Sequence, residues 1–217
     1  MSQTSAPASS WKRTLFSSIM LEKTRSQKIA YVGVVAALCI VSNIFEFKFA
    51  TVQFSLTVFT SILAGILIGP LLGACAVFIG DSVGYLVNSM GYPYYWWVAL
   101  SCAGMALIAG LIMNGLRLKF KGAGYVKLAI ICVLTFFVCS VLINSLGMYY
   151  IGFKIYMPSS VIEEAESRFG GKLSFGIYLL IRFFVLGQFY NSLFNYALLF
   201  CVVPVLNAVK PLKLNIR

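Results

Sequence analysis

Residues 49–116 read FATVQFSLTVFTSILAGILIGPLLGACAVFIGDSVGYLVNSMGYPYYWWVALSCAGMALIAGLIMNGL, and Asp81 is the only charged residue among them. A helix needs about 20 apolar residues to cross the hydrocarbon of a bilayer, so this stretch alone holds about three spans. The rest of the chain agrees. Its 217 residues are 60% apolar and 11% charged, with a mean hydropathy of +0.91. That composition excludes a water-soluble enzyme, a disordered regulator and a secreted disulfide scaffold.

Absent residues narrow the chemistry. The chain has no histidine, and therefore no HExxH zinc site, Ser-His or Cys-His couple, haem imidazole or imidazole shuttle. It has no G-x-x-x-x-G-K-[ST] loop to hold a nucleoside triphosphate. Cys39, Cys75, Cys102, Cys132, Cys139 and Cys201 all lie in apolar runs without a C-x-x-C pair. Such thiols pack as small hydrophobes, so no disulfide, metal or intrinsic cofactor is expected.

Apolar runs and charges together predict an all-α membrane protein of six transmembrane helices, with both termini cytoplasmic. The spans are Ile29–Phe45, Leu56–Ile68, Leu71–Ser89, Val98–Leu116, Val126–Ile151 and Phe175–Val209. Gly69-Pro70 makes the tight turn between the second and third. Residues 1–28 read as a cytoplasmic amphipathic segment lying on the membrane, 29–209 as the membrane domain and 210–217 as a basic tail. Of the seventeen basic residues, five precede the first span, four flank the turn between the fourth and fifth spans, and three lie in the tail. The positive-inside rule puts all twelve on the cytoplasmic side. The net charge of +11 is thereby a topology signal, and nucleic acid is not an expected partner.

Four features carry functional expectations. Ala30, Gly33 and Ala37 give the first span a small-residue face; such a face admits another helix backbone, either a partner's or the protein's own. Glycines Gly65, Gly69 and Gly73 permit close packing of the second and third spans. Asp81 and Arg182 are the only ionisable groups of their spans. At about 1.5 Å per residue they lie roughly 12 and 10 Å from the outer helix ends. A lone charge in hydrocarbon is costly, so they are expected to pair, to meet a ligand or to find separate polar partners. Last, Tyr92, Tyr94, Tyr95, Trp96 and Trp97 crowd the third loop, joined by Tyr149. They read as an interfacial belt or as flat faces for a planar, amide-bearing ligand. Asn88, Asn144, Asn191 and Asn195 add amides, as ligand contacts or as interhelical glue.

The run Gly65–Gly73 leading to Gly80-Asp81-Ser82-Val83-Gly84-Tyr85, the small-residue face, the span count and the size resemble the substrate-binding S-component of energy-coupling-factor (ECF) vitamin transporters, in the group typified by folate carriers. The resemblance covers Ile29 to Val209 and is strongest between Gly65 and Tyr85. It implies a prokaryotic cell-membrane protein that is not an enzyme, captures a vitamin outside and docks on a transmembrane coupling subunit with two cytoplasmic ATPases. It assigns docking to the small-x-x-x-small motif, matched by Gly33 and Ala37, and places the vitamin near the aromatic loop and the outer halves of the last three spans. The expected binding residues are Asp81, Tyr85, Asn88, Tyr92, Tyr94, Tyr95, Trp96, Trp97, Asn144, Tyr149, Arg182 and Asn191. The outer loops are nearly charge-balanced, and the bulky Tyr/Trp run replaces the third-loop pattern of the folate carriers. Both point to a large, nearly neutral ligand, and the chain looks most like the cobalamin-specific members. Cobalamin is thus the expected transported ligand; folate or another B vitamin such as pantothenate is the alternative. A small lipid-modifying membrane enzyme is the alternative of another class.

Overall fold

The computed structural model describes residues 10–49, 52–89 and 93–209. Two short helices, α1 (Ser10–Leu15) and α2 (Ser18–Glu22), precede the first long one, α3 (Arg25–Ile44). That helix starts earlier than its apolar run because Thr24 and Gln27 form a capping box: the Thr24 hydroxyl accepts from the Gln27 amide at 3.4 Å, and the Gln27 side chain accepts from the Thr24 amide at 3.2 Å. The first loop is an antiparallel hairpin of β1 (Glu46–Phe49) and β2 (Val52–Ser55), with Glu46 opposite Ser55. Then come α4 (Thr57–Ile68), α5 (Pro70–Val87) and α6 (Trp96–Gly115). A single long helix, α7 (Ala123–Ile155), is followed by α8 (Ser159–Phe169), α9 (Phe175–Val185) and α10 (Gln188–Ala208).

Five of these helices, α3, α5, α6, α7 and α10, are long and apolar enough to cross a membrane. The expected second span, α4, is not. Its 12 residues reach only ~18 Å, against about 30 Å of hydrocarbon. It is instead the central helix, with Thr60–Ile66 and Ile68 all buried, as befits a helix apolar on every side. Gly65 makes that position possible: a Cβ there would run into the Ala106 carbonyl of α6. Gly69, at φ +93°, turns the chain into Pro70, the first residue of α5.

The amino-terminal segment is held by the same turn. Its two short helices pack under the turn where α4 stops short. Met20 is 1% exposed and Ile19 is buried with it. The Ser17 hydroxyl donates to the Leu67 carbonyl at 2.7 Å, and the Asn114 amide donates to the Thr14 carbonyl at 3.4 Å. Burying one side chain of methionine size stabilises by about 2 kcal/mol, more than an open surface position offers.

The carboxy-terminal half is built more loosely. Within α7, Thr135–Ser145 and Met148–Gly152 widen into π-type turns. The expected last span, Phe175–Val209, is two helices, because Gly187 adopts φ +78° and ends α9 with a Leu186 N–H to Ile181 carbonyl bond of 2.8 Å. Arg182 therefore belongs to α9, not to the final span.

Candidate binding cavity

A cavity of about 390 Å³ opens among β2, the start of α6, the widened part of α7, and α8, α9 and α10. Four of the residues expected from sequence meet there: Tyr95, Asn144, Arg182 and Asn191. Ser55, Met148, Phe153, Tyr178 and Gln188 complete most of the wall. The size suits a drug-sized ligand.

Each polar wall residue is held by a particular piece of local structure. In α9 the Arg182 guanidinium donates through Nη1 to Ser145 Oγ and to the Tyr178 hydroxyl, both at 3.2 Å, and it lies 5.9 Å from the Phe183 ring centroid. Tyr178 stands one turn before Arg182 on the same face, a spacing that the sequence displays. The wide turn of α7 brings Ser145 round, and its own hydroxyl donates to the Ser140 carbonyl five residues back, at 2.9 Å. Asn191 Oδ1 accepts from the Ser55 amide at 3.1 Å and from Asn195 Nδ2 at 3.0 Å. Asn195 in turn donates to the Ser55 carbonyl at 2.8 Å and accepts from the Phe59 amide at 2.9 Å. The first residues of α4 have no side-chain cap of their own, so Asn195 caps that helix from α10. The two asparagines thus act as glue, and Asn191 also forms cavity wall.

Asp81 and Arg182 do not pair. Asp81 is buried in α5 and accepts from Asn43 Nδ2 of α3 at 3.1 Å, with the Tyr94 hydroxyl also in hydrogen-bonding contact. The Tyr94 hydroxyl shares a 2.9 Å hydrogen bond with Ser82, and its ring lies 4.9 Å from that of Tyr85. Burial pushes the Tyr94 phenol above its ordinary range, and the Asp81 charge adds to the shift. The phenol therefore stays protonated as a donor. Asn43, Asp81, Ser82, Tyr85 and Tyr94 form a tie between α3, α5 and the third loop, away from the cavity wall.

The aromatic run is divided in the same way. Trp97 is 2% exposed and packs on Gly147 and Gly152 of α7; Trp96 is 53% exposed. Among the described residues of the run, only Tyr95 lines the cavity. Tyr92 lies outside the described residues, and Asn88 is exposed at the end of α5. Tyr149 donates to the Leu173 carbonyl at 2.9 Å and stands 5.9 Å from the Tyr178 ring, so it supports the wall from behind. A second, smaller cavity of about 180 Å³ between α7 and α10 is almost wholly apolar and contains none of the expected binding residues.

On α3 the faces separate cleanly. Val35, Cys39 and Ser42 are buried, while Ala30, Gly33 and Ala37 are exposed together with Val34 at 70%. A Cβ built on Gly33 would meet nothing within 4 Å, so among the described residues no other helix packs against this glycine.

Apolar helices of membrane length around a polar-walled cavity, with an exposed small-residue face on the first of them, define a membrane-embedded binding protein. The profile of the ECF-type riboflavin transporter S-component family matches residues 23–181, well over half of the chain, and the chain belongs to that family. Members are non-catalytic, substrate-binding subunits of multi-pass membrane transporters that work with a transmembrane coupling subunit and ATPases. No individual curated protein matches the sequence.

Proposed function

We propose that this protein is the vitamin-capture subunit of an ATP-driven ECF importer of the prokaryotic cell membrane, and that it takes riboflavin into the cavity walled by Tyr95, Asn144, Arg182 and Asn191. The volume of that cavity, about 390 Å³, carries the reading on substrate. It suits a single fused ring system with a short polar chain, and the family description names riboflavin. The ligand meets one cation and several amides, which suits a neutral, carbonyl-rich vitamin better than folate with its two carboxylates.

The capture end is taken to face outward and the amino-terminal helices inward, following the distribution of basic residues. With α4 counted as a shortened crossing, six crossings return both termini to the cytoplasm. Ala30, Gly33 and Ala37 form the surface for the coupling subunit, and ATP is hydrolysed by the two partner ATPases.

Cobalamin is a second reading, supported by the amides of Asn144, Gln188 and Asn191 along one cavity, which can serve the carboxamides of a corrin rim. A corrin is much larger than the cavity, so this reading requires α8 to move away from α6 and α9. Titration of the purified protein with riboflavin and with cobalamin, each followed by calorimetry, tests both. Saturable one-to-one riboflavin binding supports the first reading; tight cobalamin binding without riboflavin binding replaces it with the second.

A further inference from the structure

Two polar groups at the cavity remain unspent by the fold. Arg182 has five N–H donors, and its hydrogen bonds go from Nη1 alone to two neutral hydroxyls. Among the described residues the one ion pair is Arg168 with Glu164, on the outer side of α8, so no described carboxylate neutralises Arg182. One residue before its partner Ser145 comes Asn144, whose Oδ1 is buried and has no hydrogen-bond partner. A buried acceptor without a donor is costly. The amide turns easily about its last side-chain torsion, and Asn144 already forms cavity wall. The wall thus offers a cationic donor and an unsatisfied acceptor on adjoining parts of α7 and α9.

We propose that this pair reads an imide edge, with Arg182 donating to a ring carbonyl and Asn144 accepting from the neighbouring N–H. The inference rests on the capture reading above and deepens it. A carboxylate satisfies Arg182 but brings no N–H for the unpaired Asn144 Oδ1, whereas an imide presents acceptor and donor side by side. The pyrimidinedione end of a flavin has that arrangement at its N3–H and flanking carbonyls. Arg182 and Asn144 are on this view the specificity-determining residues, and the aromatic wall contributes area without selecting the edge. A site built to pair with an N–H rejects an analogue that lacks it far more strongly than an apolar pocket rejects a change of size.

The test compares riboflavin with N3-methylriboflavin on the purified full-length protein and on Asn144→Leu. Methylation is expected to weaken binding to the unaltered protein by about 10- to 100-fold. In Asn144→Leu the two ligands should bind alike, with riboflavin reduced to the level of its methylated analogue. Equal binding of the two by the unaltered protein overturns the imide-edge assignment while leaving riboflavin capture intact. That comparison needs no variant and so survives any misfolding of Asn144→Leu. Discrimination that persists undiminished in a folded Asn144→Leu overturns the role of Asn144. Absence of riboflavin binding altogether overturns the flavin reading, and the edge assignment with it.

Discussion

The half of the molecule formed by α3, α4, α5 and α6 is joined largely through missing side chains, beside the one Asn43–Asp81 tie; the half formed by α7, α8, α9 and α10 is joined largely through polar ones. In the first, Gly65 lets α4 press on the α6 backbone, and Gly80 lets α5 approach Cys39 of α3, where a Cβ would come within 2.6 Å of the Cys39 Cβ. In the second, wide turns and the Gly187 break hold helices apart, and Ser145, Tyr178, Arg182, Asn191 and Asn195 bridge the space. Lipid provides no hydrophobic drive between helices, so close backbone packing and hydrogen bonds are the available means of cohesion. One half uses the first and becomes a solid frame. The other uses the second and keeps a cavity.

Substitutions can break this contrast in graded steps. Gly65→Leu should do most harm, because the side chain meets backbone that cannot yield; a loss of about 3 kcal/mol or more, or no folded protein, is expected from thermal unfolding in detergent. An unfolding temperature within a degree or two of the parent would show that α4 and α6 are not tightly joined. Asn195→Ala should cost about 2–3 kcal/mol, since it removes the α4 cap and unpairs groups of the hairpin. It should weaken vitamin binding as well, by releasing Asn191, and calorimetry on the same sample measures both effects.

Within the aromatic run the contrast sharpens. Tyr95→Ala should weaken binding about tenfold through lost wall contact, and Trp96→Ala by less than about threefold, because Trp96 points away from the cavity. Equal losses would bring the whole run back into the site. The smallest effect on the isolated protein is expected from Gly33→Leu with Ala37→Leu: stability within about 0.5 kcal/mol and unchanged vitamin affinity. The same pair should reduce uptake to background in cells that also carry a coupling module. Normal uptake would remove the docking role of this face.

What the sequence disclosed follows the same division. The glycine-packed half was legible: the Gly69-Pro70 turn is where dipeptide chemistry places it, and the small-residue face of α3 is where its spacing puts it. The polar half was less so. A π-type turn adds a residue to the helical period, so the apolar stripe of α7 reads as uninterrupted while Ser145 is carried round to Arg182. Gly187 stands in a largely apolar run, between Leu186 and Gln188, and reads as a glycine tolerated inside a helix, so the sequence pattern places Arg182 in the final span although it belongs to α9. The hairpin did leave a trace, since Glu46-Phe47-Lys48-Phe49 alternates with the period of a strand. Nothing in the local sequence, however, says that the cap of α4 comes from a residue 136 positions away.

That distant cap bears on how the chain matures. A polypeptide emerging from the ribosome exposes the start of α4 long before residue 195 has been made, and until then the Phe59 amide lacks its native acceptor. Fusions that halt synthesis ahead of α10 should leave α4 unsettled and open to chaperones or proteases. In this arrangement the final helix closes the frame and completes the cavity wall in one event.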